Sequence, residues 1–281
     1  MHKATAIIVL DSISPAGIRL TTLQLRYWRG IHAEVLTHRV FSRNAGSSRA
    51  RPSKAIIEQV RNDPWGPLHW GKNQPGMQAH EELEPAEKEA AQRFWRDSAC
   101  VAANYANSLM EMGAHKQVVN RILEPYTYID VLVTSTEWNN WDALRDHEDA
   151  DPTIRQLAQV MKQAREESTP TLLQPGEWHL PYITEEDKQS HDIEVLKKVS
   201  AARCARISYG LFDGSKTTIE KDLDLFDKLV VSQPLHASPT EPQATPDEID
   251  LHGNFLNPRL HGNLQGWRQF RKTLPNEFVP G

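Results

Sequence analysis

The sequence is poor in cysteine and has no long apolar run. Among its 281 residues are two cysteines, Cys100 and Cys204, too few for a disulfide framework and without CxxC spacing. We therefore expect both to be small buried residues. No stretch approaches the roughly 18 apolar residues that a membrane span requires, and the apolar run near Ile7 is too short for a secretory signal. These absences predict a cytoplasmic protein with no membrane partner.

Several common site motifs are also missing. The sequence contains no G-x-S-x-G, no P-loop and no G-x-G-x-x-G, so a dinucleotide cofactor would not be held in the Rossmann manner. The histidines are scattered without the spacing of metal ligands, and we expect no metal site.

Charge is distributed unevenly. The net charge of −5 argues against nucleic-acid binding over the whole surface. Between residues 35 and 57, however, there is no acid, and five cations accumulate there: Arg39, Arg43, Arg49, Arg51 and Lys54. A basic run of this kind inside an acidic protein predicts an anion site.

The pattern of apolar residues predicts a mixed α/β fold with a mixed sheet and long helices. Strands are predicted within 4–39, at 126–134 and at 205–209, with the basic segment as a loop. Helices are predicted at 54–62, 85–112, 137–145, 153–165, 193–203 and 217–231. A composition rich in Pro, Thr and Glu makes 166–188 a linker or surface connection between 1–165 and 189–281.

The basic segment has the chemistry of a phosphate site. Guanidinium groups match phosphate oxygens, and the Gly46-Ser47-Ser48 turn lets hydroxyl and backbone N–H groups approach an anion. A solvated basic loop explains the same composition equally well. The residues alone leave both interpretations open.

The spacing of this segment resembles the signature RHRxxSxNExSxRY of the flavin-dependent thymidylate synthases, the ThyX family. The matching positions are His38, Arg39, Ser42, Asn44, Ser47 and Arg49. Three positions depart from the signature: Thr37 replaces Arg, Ala45 replaces Glu and Ala50 replaces Tyr.

Two further blocks resemble the same family. Arg121 with Pro125, then Leu144-Arg145 and residues 150–155, resemble its R-x-x-L-P…LR…AQxEIR. Residues 205–209 with 236–241 resemble ARVSY…HxSPFEH, a block that precedes the RHR signature in ThyX and follows it here. The resemblance therefore implies a circular permutation or another rearranged order, with 189–281 completing the domain begun by 1–165. Such a change is tolerable because domain termini often lie close together.

The resemblance implies methylation at carbon 5 of a pyrimidine deoxynucleotide monophosphate, with dUMP as the default substrate. It implies FAD as cofactor, methylenetetrahydrofolate and NADPH as co-substrates, and a homotetramer. Arg145 would stabilise charge on the pyrimidine. The implied nucleotide ligands are Ser47, Ser48, Arg49, Arg121 and Arg145, and the implied flavin ligands are His38, Arg39, Val40, Asn44, Asn140, Ser208, His236 and Ser238.

Three alternatives remain at this point. The same chemistry on dCMP, giving a methyl or hydroxymethyl product, agrees with the altered signature. A flavoprotein that has lost catalysis agrees with Ala45 and Ala50. A nucleic-acid-binding module would use the basic run on backbone phosphates and would bind in a strongly salt-dependent way. The net charge and the lack of aromatic residues between Arg43 and Lys54 disfavour that module.

Overall fold

The computed structural model describes residues 2–208, 217–231, 235–275 and 277. Its strands are β1 Thr5–Ile13, β2 Arg19–Trp28, β3 Ser42–Ala45, β4 Tyr128–Ser135, β5 Thr171–Leu172, β6 Ala244–Pro246 and β7 Trp267–Gln269. Its α-helices are α1 His32–Val35, α2 Ser53–Asn62, α3 Pro85–Glu111, α4 Lys116–Val119, α5 Asn139–Arg145, α6 Pro152–Glu166, α7 Glu185–Ser190, α8 Ile193–Ala205 and α9 Ile219–Phe226. The predicted mixed α/β class is confirmed.

The main sheet is a five-stranded mixed sheet with the order β3-β4-β2-β1-β5. Its pairs are antiparallel except for β1 with β5, which are parallel. Along β2 the side chains of Leu23, Leu25 and Tyr27 alternate toward one face, where they pack with the apolar side of α6. The other face carries Arg26, paired in register with Asp130 of β4.

Helix α3 forms a second core with α2. Its alanines Ala99, Ala102, Ala103 and Ala106 are buried with Ile56, Ile57 and Val60 of α2 and with Val119 and Leu123. The small alanine side chains allow the two helices to approach closely. None of the described helices is both long and apolar enough to cross a lipid bilayer.

Two local predictions are wrong. Residues 42–45 of the basic segment form strand β3 rather than a loop, because their backbone pairs with β4 from Ser42↔Thr134 to Ala45↔Val131. The strand predicted at 205–209 is instead the end of α8 and a 3₁₀ turn, Arg206–Ser208, while residue 209 lies outside the described residues. Alanine-rich sequence favours the helix, and Arg203 and Arg206 both bind Asp222.

The two cysteines differ. Cys204 is fully buried, as predicted, whereas Cys100 is exposed. Cys100 was predicted to be buried and is not, because it lies outside the row of α3 alanines that contact α2.

The segment 166–188 is packed against the main sheet. Strand β5 pairs with β1 at Ser12↔Thr171. His179 is fully buried, and its ring nitrogens lie 2.8 Å from the hydroxyls of Ser12 and Thr22. The segment thereby connects 189–281 to the face of the sheet that also carries Arg26.

Candidate functional site

A polar cleft of about 380 Å³ opens beside the end of β3. Its lining includes the Gly46-Ser47-Ser48 turn, three arginines and two carboxylates. The arginines are Arg26 of β2, Arg29 just beyond it, and Arg51; the carboxylates are Glu124 and Asp130. The cleft therefore places the predicted turn among cations from separate parts of the chain.

Gly46 is favoured by close packing beside the cleft. Its N–H donates to the carbonyl of Asp130 at 2.7 Å. A Cβ at position 46 would lie 3.2 Å from that carbonyl oxygen and 3.4 Å from the carbonyl oxygen of Ile207. Glycine lets the turn lie directly against both strand β4 and the 3₁₀ turn that follows α8.

Asn120 holds the Ser48–Arg51 turn in place. Its side chain is 1% exposed, and its Nδ2 donates to the carbonyls of Ser48 and Arg51 at 2.7 and 3.1 Å. Lys116 donates to the carbonyl of Ala50 between them. Two side chains thus satisfy three carbonyls of the turn.

The arginines of the cleft differ in how far they are already paired. Arg26 donates to both oxygens of Asp130, at 2.7 and 3.0 Å, a two-pronged pair that fixes its guanidinium. Arg29 lies 3.2 Å from Glu124, and burial lowers its pKa, with Glu124 opposing that shift. The Arg51 guanidinium lies 5.0 Å from the centre of the Tyr128 ring.

Glu124 contacts two of the predicted phosphate ligands. Its carboxylate accepts hydrogen bonds from the Ser48 hydroxyl at 2.6 Å and from Arg121 at 3.1 Å, and it also faces Arg29. Two of the side chains that the resemblance assigns to the nucleotide therefore hold an internal anion. The carboxylate marks a position where these groups converge on negative charge.

Arg145 and His38 form a second cluster. The Arg145 Nε donates to His38 Nε2 at 3.0 Å, and its Nη2 donates to the Thr37 hydroxyl at 3.1 Å. The buried His38 ring packs edge-on against Trp141 of α5. Burial lowers the pKa of His38, and the nearby charge of Arg145 adds to that effect. A neutral His38 can accept the Arg145 hydrogen bond through Nε2.

The block from the C-terminal part of the chain lies beside the signature. Asn44 of β3 donates to the carbonyl of Ser238 at 3.2 Å, and Ile207 lines the cleft. His236 and Ser238 are exposed, whereas the side chain of Ser208 lies outside the described residues. The fold thus joins two motif blocks that are more than 150 residues apart in sequence.

The remaining predicted residues are on the surface. Arg39, Val40, Arg49 and Asn140 are exposed, and Arg121 is exposed except for its contact with Glu124. Arg39 and Val40 follow His38, and Asn140 precedes Trp141, so these three flank the second cluster. Arg49 and Arg145 are not among the described residues that line the cleft.

The cleft residues missed in the sequence include Arg26, Arg29, Glu124 and Asp130. Strand β2 has the ordinary alternation of a half-buried β-strand, and its Arg26 differs little from any exposed strand residue. Only its register with Asp130 brings it to the cleft. A local pattern carries no signal for that pairing.

The groups around His38 are chemically suited to a flavin. The ring system of a flavin has carbonyl oxygens and ring nitrogens that accept hydrogen bonds, and the pyrophosphate of FAD is anionic. The exposed Arg39 and Asn140 offer donors for such groups. The Nε2 of His38 and the Nδ2 of Asn44 already have protein partners, so a flavin would contact the other polar atoms of these two side chains.

No protein-family model and no curated protein matches the chain. Among solved structures, it is similar to the UMP/dUMP methylase PolB from Streptomyces cacaoi bound with 5-Br UMP. The two are 15% identical with a TM-score of 0.49, over 59% of this chain and 90% of that chain. The same enzyme bound with 5-Br dUMP is 16% identical with a TM-score of 0.45, over 59% and 91% of the respective chains.

A third similar structure is thymidylate synthase X (ThyX) from Helicobacter pylori with FAD and dUMP. It is 16% identical with a TM-score of 0.35, over 52% of this chain and 67% of that chain.

Proposed function

We propose that this chain catalyses flavin-dependent methylation at carbon 5 of a pyrimidine deoxynucleotide monophosphate, with dUMP as substrate. The observation that carries the proposal is the cleft at Gly46, where a Gly-Ser-Ser turn and three arginines converge beside a second motif block. A monophosphate dianion matches these donors in charge and in hydrogen-bonding geometry.

The 5′-phosphate would bind to the Ser47 and Ser48 hydroxyls and to Arg29 and Arg51. Arg26 is already held by Asp130, so this pair adds no net charge to the cleft and leaves the phosphate to Arg29 and Arg51. Arg49 and Arg121 are exposed, and in a homotetramer they would reach the nucleotide of a neighbouring subunit. Arg145 would stabilise negative charge on the pyrimidine ring, an electrostatic role in which His38 positions its guanidinium.

The proposed flavin ligands are His38, Arg39, Val40, Asn44, Asn140, Ser208, His236 and Ser238. When bound, FAD supplies hydride chemistry, with methylenetetrahydrofolate as the carbon donor and NADPH as the reductant. The work of the protein is to hold the pyrimidine, to exclude water around it and to balance its charge. This function requires no protein nucleophile, in keeping with the burial that raises the pKa of the Cys204 thiol.

The test begins with the absorption spectrum of the purified protein and continues with calorimetric titrations of dUMP, dCMP and UMP. A flavin spectrum together with tight binding of dUMP is the expected result. Turnover with methylenetetrahydrofolate and NADPH then identifies the base and the product. A colourless protein that does not take up added FAD and binds none of the three nucleotides would refute the proposal.

Arg51→Gln tests the phosphate site directly. Losing one charge-assisted hydrogen bond to the phosphate should weaken dUMP binding by about 1.5–3 kcal/mol, or roughly 10- to 150-fold. Arg259→Gln, on an exposed 3₁₀ turn, is the matched control and should leave the affinity unchanged. Arg49→Ala should also weaken nucleotide binding far more than it disturbs folding, because its side chain is exposed.

A further inference from the structure

Two side chains of the C-terminal part of the chain connect the segments that carry the proposed flavin ligands. They are Asn263, in the turn before β7, and Gln269, the last residue of β7. Neither belongs to a motif block that resembles the ThyX family, and neither is among the described residues that line the nucleotide cleft. Gln269 is 1% exposed and Asn263 is half-buried. Amide groups in such positions need hydrogen-bond partners inside the protein.

Asn263 holds the loop that carries Val40. Its Nδ2 donates to the carbonyl of Val40 at 2.8 Å and to the hydroxyl of Ser42, the first residue of β3, at 3.0 Å. The Val40 side chain is 43% exposed, and Arg39 before it is exposed as well. The loop is therefore attached to the fold through its backbone, while its side chains remain accessible to a ligand.

Gln269 extends this connection to the block that carries Ser238. Its Nε2 donates to the Oδ1 of Asn263 at 3.1 Å and to the carbonyl of Glu241 at 3.0 Å. Glu241 directly follows the 3₁₀ turn Ser238–Thr240, and Asn44 holds the start of that turn by donating to the carbonyl of its first residue. Buried amides from two segments thus fix both ends of the turn.

The position of Gln269 is itself fixed by its surroundings. Its backbone pairs with Ala244 in the two-stranded sheet of β6 and β7. Gly262 lies directly against its carboxamide, because a Cβ at position 262 would be 2.6 Å from the Oε1 of Gln269. The φ of Gly262 is +59°, a conformation that glycine adopts without steric cost. The amide is therefore held in place by the fold itself.

These contacts form one connection from the loop at Val40 to the turn at Ser238. A ligand that touches both segments binds more tightly when they are already held at the correct separation, because less ordering is then required on binding. From these contacts we infer that Asn263 and Gln269 are positioning residues, which set the separation of the two segments that would hold the flavin. The inference rests on the proposed function, since it takes FAD to contact both segments.

Asn263→Ala tests this role in the full-length protein. Without the amide the loop at Val40 loses its attachment, so the dissociation constant for FAD should rise about tenfold in fluorescence titrations. Inorganic phosphate, which reports on the nucleotide cleft, should bind equally to the parent and the variant. Gln265→Ala, at an exposed position of the same turn, is the matched control and should leave both affinities unchanged. In the FAD-free variant, backbone hydrogen exchange at residues 39–42 should be faster than in the parent.

A second variant tests the connection between the two amides. Gln269→Met has a similar volume and removes the amide, so it should weaken FAD binding as Asn263→Ala does. The two effects should not add in the double variant, because both changes interrupt the same connection. Thermal unfolding checks that each variant folds, and Asn263→Ala, at the half-buried position, decides the matter if the buried change at 269 prevents folding.

The outcomes separate this inference from the proposed function. Equal FAD affinities of the parent and Asn263→Ala would overturn the inference and leave the proposed function standing. Additive effects in the double variant would overturn the connection between the two amides. A parallel loss of phosphate affinity would also count against a positioning role, since it would indicate a general loss of structure. A parent protein that takes up no FAD would refute both the inference and the proposed function.

Discussion

Replacing Glu124 with glutamine should strengthen the binding of phosphate to the cleft. The carboxylate accepts hydrogen bonds from Ser48 and Arg121 and lies 3.2 Å from Arg29. An incoming phosphate must compete with it for these groups and is also repelled by its charge. Glutamine has the same shape, and its amide oxygen still accepts the Ser48 hydrogen bond, so the variant removes the charge and exchanges one acceptor oxygen for an NH2 donor.

The magnitude follows from the surroundings of the carboxylate. Two unit charges about 4 Å apart interact by about 4 kcal/mol at the effective dielectric constant near a protein surface. The side chain of Glu124 is 22% exposed, and its partner Arg121 is 57% exposed, so solvent and salt screen much of this repulsion. We expect a net gain of about 1.4 kcal/mol, which is a tenfold increase in phosphate affinity.

The assay is calorimetric titration of the parent protein and Glu124→Gln with inorganic phosphate, dUMP and deoxyuridine. Phosphate and dUMP should bind about tenfold more tightly to the variant, and deoxyuridine, which has no phosphate, should bind equally to both. Glu248→Gln, at an exposed position, is the control for a general change in net charge. Inorganic phosphate reports on the anion site whether or not the protein acts on dUMP.

Weaker binding of dUMP to Glu124→Gln would refute this reasoning, because it would mean that the carboxylate contacts the nucleotide itself. A changed affinity for deoxyuridine would do the same, since it would place Glu124 at the sugar or the base. Equal phosphate affinities in the two proteins would show that the carboxylate does not compete for the anion site.

Two further predictions concern stability. Asn120→Ala should lower the free energy of unfolding by about 2–3 kcal/mol in urea titrations, since the carbonyls of Ser48 and Arg51 lose their donor; unchanged stability would mean that the turn does not depend on Asn120. Burial lowers the pKa of His179 from 6.5 to about 3, so the unfolded chain binds one more proton than the folded one between these values. Stability should therefore be highest above pH 6.5 and should fall as the pH decreases toward 3, by up to about 1.4 kcal/mol per pH unit from this group. His179→Gln should reduce that slope in urea titrations at several pH values, and an identical slope would assign it to other groups.

Much of the secondary structure was predictable because its causes are local. Helix α6 begins where Asp151 accepts hydrogen bonds from the N–H groups of Thr153 and Ile154, directly before a proline at the first helical position. Helix α3 was predicted at 85–112 and found at Pro85–Glu111. These signals lie within a few residues of the element that they define.

The strands were harder to predict where they form only by pairing with another strand. Ser42–Ala45 has neither the length nor the β-branched composition of an independent strand, and it becomes β3 only because β4 offers unpaired backbone groups along its edge. The error at 205–209 has the opposite cause, since the helix formers that precede it extend α8 through Ala205.

The local chemistry of the anion site was set by the sequence alone. Gly46, Ser47 and Ser48 are consecutive, so their turn and its hydroxyls could be recognised without any fold. Only the tertiary structure decided which groups meet there: Arg26 and Arg29 from β2 and the residue after it, Glu124 from a 3₁₀ turn, and Asn44 against Ser238. The physical reason is the sequence separation between the residues that determine each feature. Turns and caps depend on neighbouring residues, whereas a cleft depends on strand register and on packing between segments that are far apart in the chain.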